Sequence, residues 1–281
     1  MLANKKVVVI GVGKIGEALV SGLINRGELK TKDIVGTVGQ AKTAQRIRQK
    51  LKIEVTTNNK EAVRGKDVIL IAVKPQNMDL VLREIGSQLT TEQLIISVAA
   101  SVTTNFIEER LAKPIPVIRA MPNTPALLNV GMTALCAGTH TEKGHLAIAE
   151  AIFRCVGEAV FLDENLMDGV TALSASGPAY LYVVIESLAE AGVKLGIPRE
   201  ISTLLTAQTM LGSAHMVLSS KAHPALLKDT VTTPAGCTID GLMELEEGKL
   251  RVTLIKAVVK AAERARELVH TQNTKRSKGE G

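Results

Sequence analysis

The stretch "VVVIGVGKIGEAL", residues 7–19, decides the fold. Three valines and an isoleucine run without a polar break. Gly11, Gly13 and Gly16 then fall in a G-x-G-x-x-G pattern, and helical spacing takes over at once. The glycine pattern alone is weak. Placed after a strand and at the opening of a helix, it is the fingerprint of a dinucleotide-binding turn. Gly11 permits the tight turn, Gly13 lets the backbone approach a pyrophosphate, and Gly16 lets the helix pack on the strand. The pyrophosphate is expected on the helix N-terminus.

Outward from that turn, short β-branched runs alternate with helical patterns. Residues 6–11, 33–37, 67–73, 94–100 and 116–121 read as buried strands, because each is a nearly continuous apolar run. Helices are expected over 13–26, 42–51 and 103–111. Such alternation predicts a doubly wound, mostly parallel α/β sheet. Residues 131–138 and 158–162 suggest two further edge strands around a helix at 142–156. From residue 178 onward the patterns are only helical: 179–195, 199–219, a segment after Thr238, and 250–269. Several of these helices are apolar around much of their circumference and need cover from more than one side. A second copy of the chain is the expected source of that cover. The division expected is a Rossmann-type domain over 1–163, a helical domain over 164–270, and a polar, disordered tail over 271–281.

Composition narrows the function classes. The chain has 281 residues, 46% hydrophobic and 22% charged, enough for a sizeable core. It has no Trp, two Tyr and three Phe, so stacking platforms for single-stranded nucleic acid are absent. The net charge of +6 includes +2 from the tail (Lys275, Arg276 and Lys278 against Glu280), which leaves little support for a nucleic-acid surface. Cys136, Cys155 and Cys237 are scattered and odd in number, which suits free thiols in a reducing, cytoplasmic compartment. No apolar run reaches membrane-spanning length, no histidine pair has metal-ligand spacing, and residues 1–11 lack the form of a signal peptide.

The second strand reads "IVGTVGQAK" (34–42) and carries no carboxylate for a ribose 2′-hydroxyl. Thr37, Gln40 and Lys42 stand there instead and suit a 2′-phosphate, hence NADPH, with NADH as the alternative; Lys42 equally suits a solvated helix start. "AVKPQ" (72–76) places Ala72, Val73, Lys74 and Pro75 at a strand end where ligands bind in such sheets. Lys74 can reach a cofactor or merely cap the edge. "SVAASVT" (97–103) ends another strand with Ala99 and Ala100. Their small side chains admit a nicotinamide or serve close helix–sheet packing.

"RAMPNTP" (119–125) is a further strand end. "SASGPAY" (174–180) puts Pro178 near a helix start with Ser176 or Gly177 as N-cap. "VTTPAGCTIDG" (231–241) likewise runs from a Pro-Ala-Gly turn into a helix. Two helix N-termini with bare N–H groups suit a carboxylate.

Together with "GVGKIGEAL", "HPALLKDTVTTPAGCTIDGL" and "RVTLIKAVVKAAERAREL", these motifs resemble the pyrroline-5-carboxylate reductase family, in order and spacing, nearly to His270. The resemblance implies a Rossmann domain and a helical domain that interleaves in a homodimer, with assembly to decamers in some members. It implies NAD(P)H-dependent reduction of the C=N bond of Δ1-pyrroline-5-carboxylate to L-proline. Cofactor contacts carry over to Lys14, Ile15, Asn59, Ala72, Lys74, Pro75 and Ala100, with Asn59 near the adenosine ribose. The substrate carboxylate falls to backbone N–H groups of Ala235, Gly236, Cys237 and Thr238. The Thr238 hydroxyl falls beside the ring nitrogen, as proton donor, as orienting group, or as a cap for its helix. Ala175 and Ala235 stand where many members carry Gly, which puts ring preference in question. The alternatives are a reductase of another cyclic imino acid, with a six-membered or sulfur-containing ring, and a non-catalytic NADPH sensor. His223 is expected as a loop or cap residue, and Asp229 as an acceptor of backbone hydrogen bonds from the 231–241 stretch.

Overall fold

The computed structural model describes residues 2–234 and 236–277, the side chains of 270–277 excepted. The elements run β1 (Val7–Ile10), α1 (Lys14–Asn25), β2 (Ile34–Thr37), α2 (Ala41–Leu51), β3 (Glu54–Thr56), α3 (Asn59–Ala62), β4 (Val68–Ile71), α4 (Met78–Ile85), β5 (Leu94–Ser97) and α5 (Thr104–Glu108). Then follow β6 (Val117–Pro122), β7 (Gly131–Ala137), α6 (Lys143–Arg154), β8 (Gly157–Phe161), α7 (Met167–Val170), α8 (Gly177–Lys194), α9 (Arg199–Ser220), α10 (Pro224–Thr230), α11 (Cys237–Glu247) and α12 (Leu250–Ser277).

The eight strands form one sheet in the order β3-β2-β1-β4-β5-β6-β7-β8. All pairs are parallel except β6 with β7. Side chains alternate faces along each strand. Val7 and Val9 of β1 and Val68 and Leu70 of β4 therefore join one core with Leu19, Val20 and Leu23 of α1. Val8, Ile10, Ile69 and Ile71 join a second core with Met78, Leu82 and Ile85 of α4. Covered on both faces, the strands have no polar alternation. Each fully buried aliphatic side chain contributes about 1.5–3 kcal/mol.

The sequence reading named neither β3 nor α4. In β3 only Val55 is buried, too little for an apolar run. The α4 apolar residues Met78, Val81, Leu82 and Ile85 do have helical spacing over a short segment. The last helix continues to Ser277, past the boundary expected at His270, while 278–281 lie outside the described residues.

The chain divides into two compact units: residues up to Ser176 with the last helix from Ala261 onward, and Gly177–Lys260. The expected boundary at 163 thus falls inside the first unit. Met167 explains this: it is buried in a small cluster with Met121, Ala134 and Cys136 of β6 and β7.

In the second unit α8 and α9 pack as a hairpin. Ser202 Oγ donates to Ala189 O at 2.7 Å, and a Cβ on Gly192 would lie 2.0 Å from Ser202 Oγ, so only glycine allows the approach. Arg199 pairs with Glu190 across the same contact.

Candidate functional site

The glycine turn sits at the point where strand order reverses, between β1 and β4. In open α/β sheets ligands bind at such points, beyond the carboxyl ends of the strands. Gly11 has φ +89°, and a Cβ on it would lie 2.9 Å from Ala72 O and from Val73 Cγ1. The turn is fixed by Gly11 N and Val12 N, which donate to Thr37 O at 3.0 and 2.9 Å. The space around Gly13 is open, whereas a Cβ on Gly16 would lie 2.9 Å from Gly11 O. Gly13 is the N-cap of α1 and no side chain caps this end. Lys14, Ile15 and Gly16 form its first turn, whose N–H groups have no intrahelical partners. A glycine turn open at Gly13 above an uncapped helix end fits a pyrophosphate.

The neighbouring strand ends align with that turn. Ala72 N donates to Ile10 O at 2.8 Å, and Val98 N to Ile71 O at 3.0 Å. Residues 11–16, 72–75 and 98–100 are thereby brought to one edge. Lys74 is exposed and precedes a single 3-10 turn opened by Pro75. Ala99 is buried in the second core, and Ala100 packs against the cluster of Met121 and Met167.

At the end of β2, Thr37 is buried and its hydroxyl donates to Asn59 Oδ1 at 2.6 Å. Asn59 Nδ2 donates in turn to Glu84 Oε2 at 2.8 Å. Gln40 and Lys42 are exposed around the start of α2. Sequence reasoning missed Glu84, which comes from α4.

α8 begins at Gly177 with Pro178 in its first turn, as expected, but without the expected N-cap. Ser176 is not an N-cap: its φ and ψ are −84° and −23°, inside the helical region. A π-helical turn, Thr171–Ala175, joins α7 to α8, and Ser176 N donates to Thr171 O at 2.9 Å. The cause is Pro178. It has no N–H for the carbonyl four residues back, Ser174, and its ring crowds that carbonyl. The wider turn relieves the clash, and Asn123 Nδ2 donates to Ser174 O at 3.3 Å. Asn123 Oδ1 also accepts from Met132 N at 2.9 Å. The Asn of "PNTP" therefore ties three segments together, and only one of the two expected helix N-termini is a true one.

A second missed residue is Arg119 on β6. Its side chain is 2% exposed, Nη1 donates to Glu164 Oε1 at 3.3 Å, and Nε and Nη2 have no partner among the described residues. Glu164 also accepts from Thr104 N (2.9 Å) and Thr104 Oγ1 (2.6 Å) at the start of α5. The pair thus holds the segment after Ala100 to the residues that lead into α7.

In the second unit, His223 caps α10 as expected, its Nδ1 accepting from Ala225 N at 3.2 Å. The Asp229 carboxylate pairs with Lys228 Nζ at 2.6 Å rather than with the following stretch; it is the Asp229 backbone carbonyl that accepts Thr232 N. Gly236 N donates to Thr233 O at 3.0 Å, and a Cβ on Gly236 would lie 2.4 Å from Thr233 Oγ1. With that N–H engaged, Cys237 and Thr238, the first two residues of α11, present N–H groups that have no intrahelical partner. No side chain caps Gly236. Ala235 lies outside the described residues.

Comparison with known proteins places these features in a family. A family model described as pyrroline-5-carboxylate reductase dimerisation matches residues 164–268. One described as NADP oxidoreductase coenzyme F420-dependent matches residues 6–101. The pyrroline-5-carboxylate reductase of Methanosarcina acetivorans is 40% identical over 267 residues, covering 95% of this chain and 99% of the relative. The chain belongs to the pyrroline-5-carboxylate reductase family. The family's enzyme from Coxiella burnetii superposes with a TM-score of 0.89 at 36% identity, covering 94% of this chain and 98% of that one. Plasmodium falciparum pyrroline carboxylate reductase, solved with NADP bound, gives 0.85 at 32% identity, covering 95% and 98%.

As a member of the pyrroline-5-carboxylate reductase family the chain is an oxidoreductase of NAD(P)H. Among the described residues no group of three or more His, Cys, Asp or Glu could hold a metal ion. No helix among them is long and apolar enough to cross a membrane. Burial pushes the Cys136 thiol up to about 12, with the Glu164 charge adding to it, and burial pushes Cys155 up to about 11. Both are inert as nucleophiles. Cys237 is exposed.

Proposed function

We propose that this chain reduces Δ1-pyrroline-5-carboxylate to L-proline, the last step of proline synthesis, with NADPH as the preferred electron donor. The observation that carries the reading is the whole-length match to this family, joined to a glycine turn at the strand-order reversal that fits a pyrophosphate. When bound, the reduced nicotinamide supplies a hydride to the imine carbon; the C=N π pair moves to nitrogen, which takes up a proton. Gly11, Gly13, Lys14, Ile15 and Gly16 hold the pyrophosphate. Ala72, Val73, Lys74 and Pro75 line the same edge, and Ala99 and Ala100 leave room for a flat ring. The absence of a carboxylate from β2 through Lys42 favours a 2′-phosphate.

The 235–238 stretch takes the substrate carboxylate on backbone N–H groups, those of Cys237 and Thr238 in the first turn of α11 foremost. Thr238 Oγ1 hydrogen-bonds the ring nitrogen and relays the proton. A protonated imine is electrophilic already, so positioning does more here than acid strength. The helical domain over 164–270 completes itself in a homodimer, which can assemble further to a decamer, in the cytoplasm.

The test is NADPH oxidation with five- and six-membered cyclic imino acids side by side, repeated with NADH. The reading expects the five-membered ring with NADPH to give the highest kcat/KM. Preference for the larger ring moves the substrate. Binding of NADPH without oxidation on either ring points to the sensor alternative.

A further inference from the structure

The end of β2 is the place where a Rossmann site discriminates the two dinucleotides, and it carries no carboxylate of its own. The structure delivers one from elsewhere. Thr37, the last residue of β2, binds the glycine turn through its carbonyl and Asn59 through its hydroxyl. Asn59 binds Glu84. The three form a directed chain, Thr37 Oγ1 to Asn59 Oδ1 at 2.6 Å and Asn59 Nδ2 to Glu84 Oε2 at 2.8 Å. Two consequences follow. The orientation of the Asn59 amide is fixed from both sides, so its second N–H is the group left to donate to a ligand. A carboxylate also stands directly behind that donor, 2.8 Å from Asn59 Nδ2.

We propose that Glu84 is a specificity-determining residue for the nucleotide. Its negative charge, transmitted through a fixed Asn59, weakens the hold on a 2′-phosphate and keeps NADH usable, against the exposed Lys42 at the start of α2, which favours the phosphate. The proposal rests on the nucleotide reading of the glycine turn and deepens it. Glu84 is a positioning residue in this scheme and Asn59 the contact. Glutamine at 84 keeps an acceptor for Asn59 and removes the charge; alanine removes both.

The experiment is calorimetric titration of the full-length protein, without substrate, with NADP+ and with NAD+. The parent chain is compared with Glu84→Gln and Glu84→Ala. Glu84→Gln is expected to tighten NADP+ by about fivefold, the size of one unit charge acting on a phosphate dianion through solvent, and to leave NAD+ within about twofold. The gain should shrink at high salt. Glu84→Ala, with Asn59 released, is expected to weaken both nucleotides. If Glu84→Gln moves both nucleotides by the same factor, moves neither, or weakens NADP+, Glu84 does not set specificity. If the parent chain binds neither nucleotide, the nucleotide reading falls and this one with it.

Discussion

In the sheet unit every residue of β1, β4 and β5 is buried. In α9, twenty-two residues long and rich in leucine, only Ser202 is. Leu204, Leu205, Leu211 and Leu218 are each more than half exposed, as are Leu181 and Tyr182 on α8. The same aliphatic vocabulary gives a closed core in one region and an open one in the other. A sheet covered by helices on both faces satisfies itself within one chain. A thin helical layer has no inner face large enough to do so, and hydrophobic surface of that extent marks an interaction site. The match of residues 164–268 to a dimerisation family agrees with this.

The contrast can be broken with two leucines. Leu211 on α9 is 64% exposed and Leu80 on α4 is 69% exposed. If α9 is covered by a second copy, Leu211→Glu disrupts the assembly, and sedimentation shifts from the oligomer to the monomer. Leu80→Glu should change stability by no more than about 0.5 kcal/mol and leave the mass unchanged. Equal, small effects at both would erase the distinction. A smaller effect is expected at the glycine turn. Gly11→Ala forces a side chain into φ +89° against Ala72 O, at a cost of about 1–3 kcal/mol, read as a lower Tm and weaker NADP+ binding.

The smallest effect concerns acid stability of the sheet unit. Burial raises the proton affinity of Glu17, but hydrogen bonds and charges from Lys50 and Arg46 outweigh it and hold the carboxyl below its ordinary 4.5. A folded value below the unfolded one gives stability that is present above 4.5 and lost as pH falls through the folded value. Glu17→Gln should therefore lower Tm near pH 7, by under about 1 kcal/mol in stability, and make no difference at the acid end. The measurement is Tm against pH for both proteins.

The sheet, its glycine turn and the helical second half were legible in sequence because each rests on local stereochemistry or periodicity. Gly11, Gly13 and Gly16 lie within six residues of one another and declare a backbone shape. The rest was hidden because its partners are distant along the chain. Glu84 acts on Asn59 from 25 residues away, and Glu164 reaches Arg119 across 45 and Thr104 across 60. The start of α8 at Gly177, with Pro178 in its first turn, was legible, but the π-helical turn that leads into it in place of an N-cap was not. That turn depends on Asn123, 51 residues from Ser174. The 231–241 stretch was readable as a turn into a helix. That Gly236 spends its N–H on Thr233 needed coordinates.

On the proposed mechanism, hydride transfer to a cyclic imine needs a hydroxyl and backbone donors rather than a strong acid. Thr238→Ala tests it directly, with kcat for Δ1-pyrroline-5-carboxylate and the Kd of NADPH measured on the same preparation. The expected result is a kcat lower by about 100-fold with an unchanged Kd. Unchanged turnover, or a loss of NADPH binding as large as the loss of kcat, would contradict it.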